Sequence, residues 1–378
     1  MIAPLRKNVI VFAGGGTGGH IYPAVAVARA MPSVDSLFLV PSDRGDAERL
    51  RGEFRCVASD SPRFDRGRLL YPVRLARAVW KARGILQREN AKAVVGLGSY
   101  ASVPACLAAR SLGLPVYLMA FDAVPGRATR MLAPLARGIG LGSELARSRF
   151  PLKAPVRVTG TPLRDDLHKP DALNAEQRSP EWFGLRHDTP TLLVFGGSQG
   201  ARGLNRRVRE GIAACGDLDF QVLHITGPDE VDETWDAYRG MRRRASVHGH
   251  LADMGAAYAV ADLILCRGGA SSVAECLALG KPAVFVPYPW HRDDHQAQNA
   301  QAAARSGAAV LVREEELDAA RMREVLTRYL VSGTERERMA ELAQGMGRPQ
   351  AARSMAAHLL ETFGDAVAEP QWSAELGG

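Results

Sequence analysis

Residues 266–300 read CRGGASSVAECLALGKPAVFVPYPWHRDDHQAQNA, and the fold follows from how they are parsed. The apolar run Leu263–Cys266 predicts a buried strand that ends in a Gly268-Gly269 turn, and the spacing beyond it predicts a helix over 272–279. An apolar strand over 283–287, a loop broken by Pro287 and Pro289, and a second helix from about residue 294 complete the stretch. Paired glycines let the backbone approach a ligand, and the helix behind them aims its first N–H groups at it, which suits phosphate. Glu275 stands one turn into that helix, where a carboxylate accepts hydrogen bonds from sugar hydroxyls. Ser272-Val273-Ala274-Glu275 is equally a capping box, in which Ser and Glu close the helix end and touch no ligand. The residues alone leave both readings standing.

The same device recurs. Val9–Ala13 (VIVFA) leads into GGGTGGH at 14–20 and then a helix expected over 23–31, with Pro23 in its first turn. Thr191–Phe195 (TLLVF) leads into GGSQGA at 196–201 and another helix. Further strands are expected over 37–40, 93–97, 116–119, 156–159, 222–226, 246–248 and 263–266. Two nucleotide-binding-type α/β units with a cleft between them follow, a usual home for a small ligand. The expected domains are 1–163, 164–347, a returning helix at 348–363 and a loose tail at 364–378. Gly14, Gly16 and Gly19 also satisfy GxGxxG, with Asp43 as a ribose acid, so a nicotinamide enzyme is a rival. Thr17 and His20 crowd that loop beyond what a pyrophosphate cradle needs.

The 378 residues suffice for two domains, and the composition is that of a globular protein without repeats. Cys56, Cys106, Cys215, Cys266 and Cys276 form no CxxC pair, so reduced thiols and a cytoplasmic setting are expected. No signal peptide or apolar run of membrane-spanning length is legible. The net charge of +7 is uneven: residues 1–163 hold 24 Lys+Arg against 10 Asp+Glu, and the remainder hold 24 against 31. A basic first half points to an anionic surface. Residues 63–88 (RFDRGRLLYPVRLARAVWKARGILQR) concentrate it, interleaving Arg and Lys with Val73, Ala76, Val79, Trp80, Ile85 and Leu86 near helical spacing. That pattern fits a helix lying on anionic lipid, or an ordinary crossover helix with Arg on its wet side. No nucleic-acid-binding signature accompanies it, and no partner of that class is expected.

Taken together, GGGTGGHIYPA, GLGSYASVPA, TGTPLR, GGSQGARGLN, HLADMGAAYAVADLILCRGGASSVAE and VPYPWHRDDHQAQNA resemble the MurG family over residues 9–363. These are peptidoglycan N-acetylglucosaminyltransferases. The glycine motifs are shared with related sugar transferases, whereas DDHQ-x-QNA after VPYP is more specific. The resemblance implies a GT-B fold and inverting transfer of GlcNAc from UDP-GlcNAc to the 4-hydroxyl of undecaprenyl-pyrophosphoryl-linked muramoyl-pentapeptide. It implies a peripheral enzyme at the cytoplasmic face of the plasma membrane, which raises the lipid-facing reading of 63–88. It implies that Ser198, Leu251, Glu275 and Gln296 hold the donor, with Arg164 completing the pocket. Ala270, Ser271, Ser272, Val273 and Ala274 would wrap the diphosphate. Thr17, Gly18 and Gly19 would lie beside the transferred sugar or the acceptor pyrophosphate.

Expelling UDP from an anomeric carbon requires charge stabilisation on the diphosphate and a base for the attacking hydroxyl. Helix N-terminal amides meet the first need, no metal-ligand cluster is legible, and no cofactor is expected for the transferase. His20 is the base the resemblance implies, with an unperturbed pKa near 6.5 that suits the task. The chain departs from the family at Met119-Ala120-Phe121-Asp122, where HEQN is usual, and more mildly at Ser99, where a Gly is usual. Asp122 is therefore a candidate to assist or replace His20. Alternatives that keep the fold are a transferase acting on another lipid acceptor, a UDP-GlcNAc 2-epimerase-type isomerase and a non-catalytic UDP-sugar sensor.

Overall fold

The computed structural model describes residues 8–15, 18–41, 50, 52–62, 70–151, 155–164, 167, 178–197, 200–290 and 293–367. The chain divides into two units, one of Met1–Phe121, Pro125–Gly160 and Ala351–Gly378, the other of Asp122–Val124 and Thr161–Gln350.

Unit 1 is built on seven parallel strands: β1 (Val9–Ala13), β2 (Asp35–Pro41), β3 (Arg55–Ser59), β4 (Ala91–Gly96), β5 (Val116–Ala120), β6 (Gly138–Leu141) and β7 (Val156–Val158). Helices α1 (Gly18–Arg29), α2 (Tyr71–Arg88), α3 (Val103–Ser111) and α4 (Arg127–Leu132) join them. The order β3-β2-β1-β4-β5-β6-β7 reverses between β1 and β4, the place where sheets of this kind bind ligands. Every residue of β1 and β5 is buried, as expected where helices cover both faces of a parallel sheet. Gly14 follows β1 at φ +136°, and a Cβ there would lie 2.9 Å from Leu97 Cβ, so only glycine closes this turn without displacement.

Helix α1 begins at Gly18, five residues earlier than expected, and contains Pro23. Pro23, in the second turn, forgoes the bond its nitrogen would otherwise donate to the Gly19 carbonyl, and the buried Ile21, Ala24 and Val27 hold the helix in place.

Unit 2 repeats the plan with β8 (Thr191–Phe195), β9 (Gln221–Ile225), β10 (Ala245–His248), β11 (Leu263–Cys266), β12 (Ala283–Phe285) and β13 (Val310–Leu311), ordered β10-β9-β8-β11-β12-β13 and all parallel. Its helices are α5 (Arg202–Ala213), α6 (Val231–Gly240), α7 (Met254–Val260), α8 (Ala270–Ala278), α9 (His295–Ser306), α10 (Ala319–Val325) and α11 (Gly333–Met346). The order reverses between β8 and β11, whose last residues Phe195 and Cys266 are paired, so Gly196 and Arg267 leave the sheet side by side. Helix α12 (Ala351–Phe363) belongs to unit 1, where Met355, Leu359 and Phe363 are fully buried and Tyr117 Oη bonds His358 Nδ1 at 2.8 Å.

Candidate functional site

In unit 2 a cavity of about 450 Å³ opens at the carboxyl ends of the strands, walled by Gly196, Gly200, Thr226, Arg267, Tyr288 and Gln296. Gly200, at φ +74°, lies so near β9 that a Cβ would sit 2.3 Å from Thr226 O. Ser198, in the same loop, lies outside the described residues, as do Thr17 and Asp43 in unit 1.

Helix α8 starts two residues before the expected position, with Gly269 as its N-cap and no side chain closing its end. Ser272 therefore sits inside the first turn, and the capping-box reading is overturned: the glycine turn lets the helix begin at Ala270. The intrahelical ladder opens with Val273 N–H to Gly269 O at 2.9 Å, so the amides ahead of it and the positive helix end face outward from the turn. Val273 points its side chain into the core, whereas Ala270, Ser271, Ser272 and Ala274 are half-buried. Glu275, 7% exposed, accepts from Tyr258 Oη at 2.7 Å. Burial first, and the neighbouring carboxylate with it, pushes the Tyr258 phenol well above its ordinary pKa, so it remains a donor.

Leu251 is half-buried, and Asp253 caps α7 by accepting from Ala256 N–H at 3.0 Å. Arg164 donates to the adjoining Ala252 carbonyl at 3.2 Å, which brings Arg164 and the Leu251 backbone together. Gln296, in the first turn of α9, accepts from Tyr288 N–H at 2.9 Å, and a Cβ at Gly268 would lie 2.4 Å from Gln296 O. The 268–269 turn and Gln296 are thus in backbone contact.

Three contributors escaped the sequence reading. Arg267, 6% exposed, donates to Val286 O (3.1 Å) and Pro287 O (3.0 Å), pairs with Glu314 at 2.5 Å, and lies 5.6 Å from the Tyr288 ring. Its position between a strand end and Gly-Gly was the available signal. Asn299 donates to Asp122 Oδ1 (2.9 Å) and Gly268 O (3.0 Å) and accepts from Ala123 N–H (2.8 Å). The Asp122 carboxylate is therefore held by an amide, and residues 122–124 are fastened to the 268 turn. Tyr258, eight residues before Cys266, carried no legible signal.

In unit 1, His20 is half-buried in the first turn of α1, beside Gly18 and Gly19, and a Cβ at Gly98 would lie 3.8 Å from its Cε1. The Gly98 carbonyl accepts from Thr129 Oγ1 at 3.1 Å, and Ser99 Oγ is buried without a hydrogen-bond partner. Of the basic stretch, 63–69 lie outside the described residues. On α2 the expected apolar stripe divides: Leu86 is buried and Val79 and Ile85 pack on the core, while Val73 (68%) and Trp80 (73%) are exposed among Arg74, Arg77 and Lys81. Lys81 pairs with Asp60 at 2.5 Å, and Arg83 binds the Ser111 carbonyl at 3.0 Å. Among the described residues no helix is long and apolar enough to cross a membrane, and no group of three or more His, Cys, Asp or Glu is arranged to hold a metal ion.

Two parallel sheets of this order, each with a glycine turn at its reversal point, are the paired Rossmann-like units of the GT-B fold. Residues 10–140 match the glycosyltransferase family 28 N-terminal domain and residues 191–355 its C-terminal domain. The UDP-N-acetylglucosamine--N-acetylmuramyl-(pentapeptide) pyrophosphoryl-undecaprenol N-acetylglucosamine transferase of Acidithiobacillus ferrooxidans is 37% identical over 94% of this chain and 98% of its own. The same-named protein of Chlorobium limicola is 35% identical over 93% and 98%. The crystal structure of Acinetobacter baumannii MurG superposes with a TM-score of 0.73 at 26% identity, covering 94% of this chain and all of that one. The chain belongs to the MurG family of glycosyltransferase family 28. UDP-GlcNAc 2-epimerase from Neisseria meningitidis (TM-score 0.67, 16% identity, 94% and 100% covered) shares the fold alone. Family membership replaces the nicotinamide reading of residues 14–19.

Proposed function

We infer that the protein transfers N-acetylglucosamine from UDP-GlcNAc to the 4-hydroxyl of undecaprenyl-pyrophosphoryl-linked N-acetylmuramoyl-pentapeptide, inverting the anomeric carbon. The observation that carries the donor half is the uncapped start of α8 behind Gly268-Gly269, with Gln296 and a buried Glu275 within the same few turns. As the C1–O bond to the diphosphate breaks, the amides around Ala270 to Ser272 stabilise the charge gathering on UDP. Glu275, oriented by Tyr258, accepts from the ribose hydroxyls; Leu251 and Arg164 border the uracil, and Ser198 and Gln296 complete the donor site. His20 takes the proton from the attacking hydroxyl, with Thr17, Gly18 and Gly19 beside the acceptor. The Asn299 grip on Asp122 favours an orienting role for that carboxylate over a second base. The exposed Val73 and Trp80 among arginines support docking of α2 on an anionic leaflet, in keeping with a peripheral enzyme at the cytoplasmic face of the plasma membrane.

The test is UDP release from UDP-GlcNAc with and without a short-chain analogue of the lipid-linked acceptor, with mass analysis for the disaccharide. Release that depends on the analogue is expected, and release without it, or 2-epimerised sugar, would overturn the reading. His20→Ala is expected to lower kcat by about 10²- to 10⁴-fold, the range of a general base, and Asp122→Asn by far less.

A further inference from the structure

Two consecutive residues after β13 hold the turn after β11 and the one that opens α9. Glu314 pairs with Arg267, which carries the ends of β11 and β12, and it packs against α5 so closely that a Cβ at Gly203 would lie 2.3 Å from Glu314 Oε1. Arg313 reaches the other loop: Nη1 donates to Asp294 Oδ1 at 2.7 Å and Nη2 to Asp294 Oδ2 at 2.6 Å. Its own N–H is fixed by Glu316 Oε2 at 3.1 Å.

Asp294 is the N-cap of α9, and its backbone is left-handed (φ 44°, ψ 31°). Non-glycine residues rarely adopt this conformation, and they keep it when the surroundings over-determine it. An N-cap Asp ordinarily turns its carboxylate onto the helix amides. Here the side chain makes no cap bond, and both oxygens are committed to the Arg313 fork. At 41% and 39% exposure the pair gains little from charge alone. Two-point attachment instead fixes the plane of the carboxylate and, through the short two-χ side chain, restrains the Asp294 backbone. Two residues later Gln296 enters the cavity wall with its backbone against Gly268.

We infer that Arg313 is a positioning residue for donor binding: its fork on Asp294 holds the left-handed start of α9 and thereby sets Gln296 against the glycine turn. The inference rests on the donor reading above. Arg313→Ala is expected to raise KM for UDP-GlcNAc about tenfold, with kcat within about threefold of wild type, and Arg313→Lys, which keeps charge and loses the fork, to fall between. Asp294→Gly, which keeps the conformation without the pair, is expected to outperform Asp294→Ala. Amide exchange supplies a readout independent of activity: in Arg313→Ala, residues 295–298 exchange about tenfold faster while β8 is unchanged. If Arg313→Ala loosens β8 as well, Arg313→Lys decides by the same two readouts. A KM within about twofold of wild type together with unaltered exchange at 295–298 would overturn the proposal. Wild-type protein without transferase activity would instead sink the donor reading, and exchange would still decide the clamp.

Discussion

Gly268 and Gly269 are adjacent, yet the packing gives them opposite tolerances. A methyl at Gly268 would sit 2.4 Å from Gln296 O and 3.0 Å from Gln296 C, both backbone atoms that cannot rotate away. Restoring ordinary contact requires roughly 1 Å of movement in the start of α9, an overpacking that costs about 1–3 kcal/mol. For a unit of this size that lowers Tm by about 2–4 °C per kcal/mol. The same movement carries Gln296 with it, and a misplacement of about 1 Å typically costs on the order of 10²-fold in rate. A methyl at Gly269 meets only Ser272 Oγ at 3.8 Å, an ordinary contact. Scanning calorimetry should therefore show Gly268→Ala lowered by several degrees and Gly269→Ala within a degree or so of wild type. UDP release should show Gly268→Ala impaired in kcat/KM by about 10²-fold, and Gly269→Ala impaired chiefly in donor KM, where the diphosphate approaches the backbone. Equal Tm losses in the two variants would refute the packing argument, and an unimpaired Gly268→Ala would refute the coupling of turn to Gln296.

Tyr258→Phe removes the buried hydroxyl that donates to Glu275 Oε2, so isothermal titration should show UDP-GlcNAc binding weakened by about 1–2 kcal/mol with the fold retained. His224, fully buried between Tyr238 Oη and Asn205 Oδ1, has its pKa lowered to about 3, by burial first and Arg209 second. The unfolded chain takes up this proton near pH 6.5 and the folded chain refuses it until about pH 3. Stability is thus lost as pH falls through that window, by about 1.4 kcal/mol per unit, and denaturant titrations of His224→Gln should be flatter by about one proton. Arg77→Glu on α2 should weaken binding to anionic vesicles by about 2 kcal/mol, about 1 for the lost charge and about 1 for the reversed one, with turnover of a soluble acceptor unchanged in the assay.

The two sheets were legible because their central strands are unbroken apolar runs closed by glycine turns. Strands β3, β6 and β13 were not: RCVAS carries a charge at an edge, GIGL is half glycine, and β13 has two residues. The start at Gly18 was misplaced because local propensity disfavours glycine and proline in a helix, and the start at Ala270 because Ser272 and Glu275 imitate a capping box one turn too late. The stripe on α2 was half right, since spacing shows a face without saying whether core or solvent receives it. Of the candidate site, motif residues were findable by type and place, but the contacts orienting them join positions far apart in sequence. Tyr258 to Glu275, Asn299 to Asp122 and Arg313 to Asp294 exist only once the chain is folded.

The membership of α12 in unit 1 imposes an order on synthesis. Unit 2 is complete, apart from a three-residue loop delivered earlier, once residue 350 has emerged. Unit 1 is then still missing Met355, Leu359 and Phe363, side chains with no exposed surface in the finished protein, and the His358 partner of Tyr117. The segment made first must therefore wait through nearly two hundred residues of translation for its last layer, keeping part of a parallel sheet's flank uncovered meanwhile. The half that carries the basic helix is the half that matures last, because the helix that closes it is made only after the whole of unit 2.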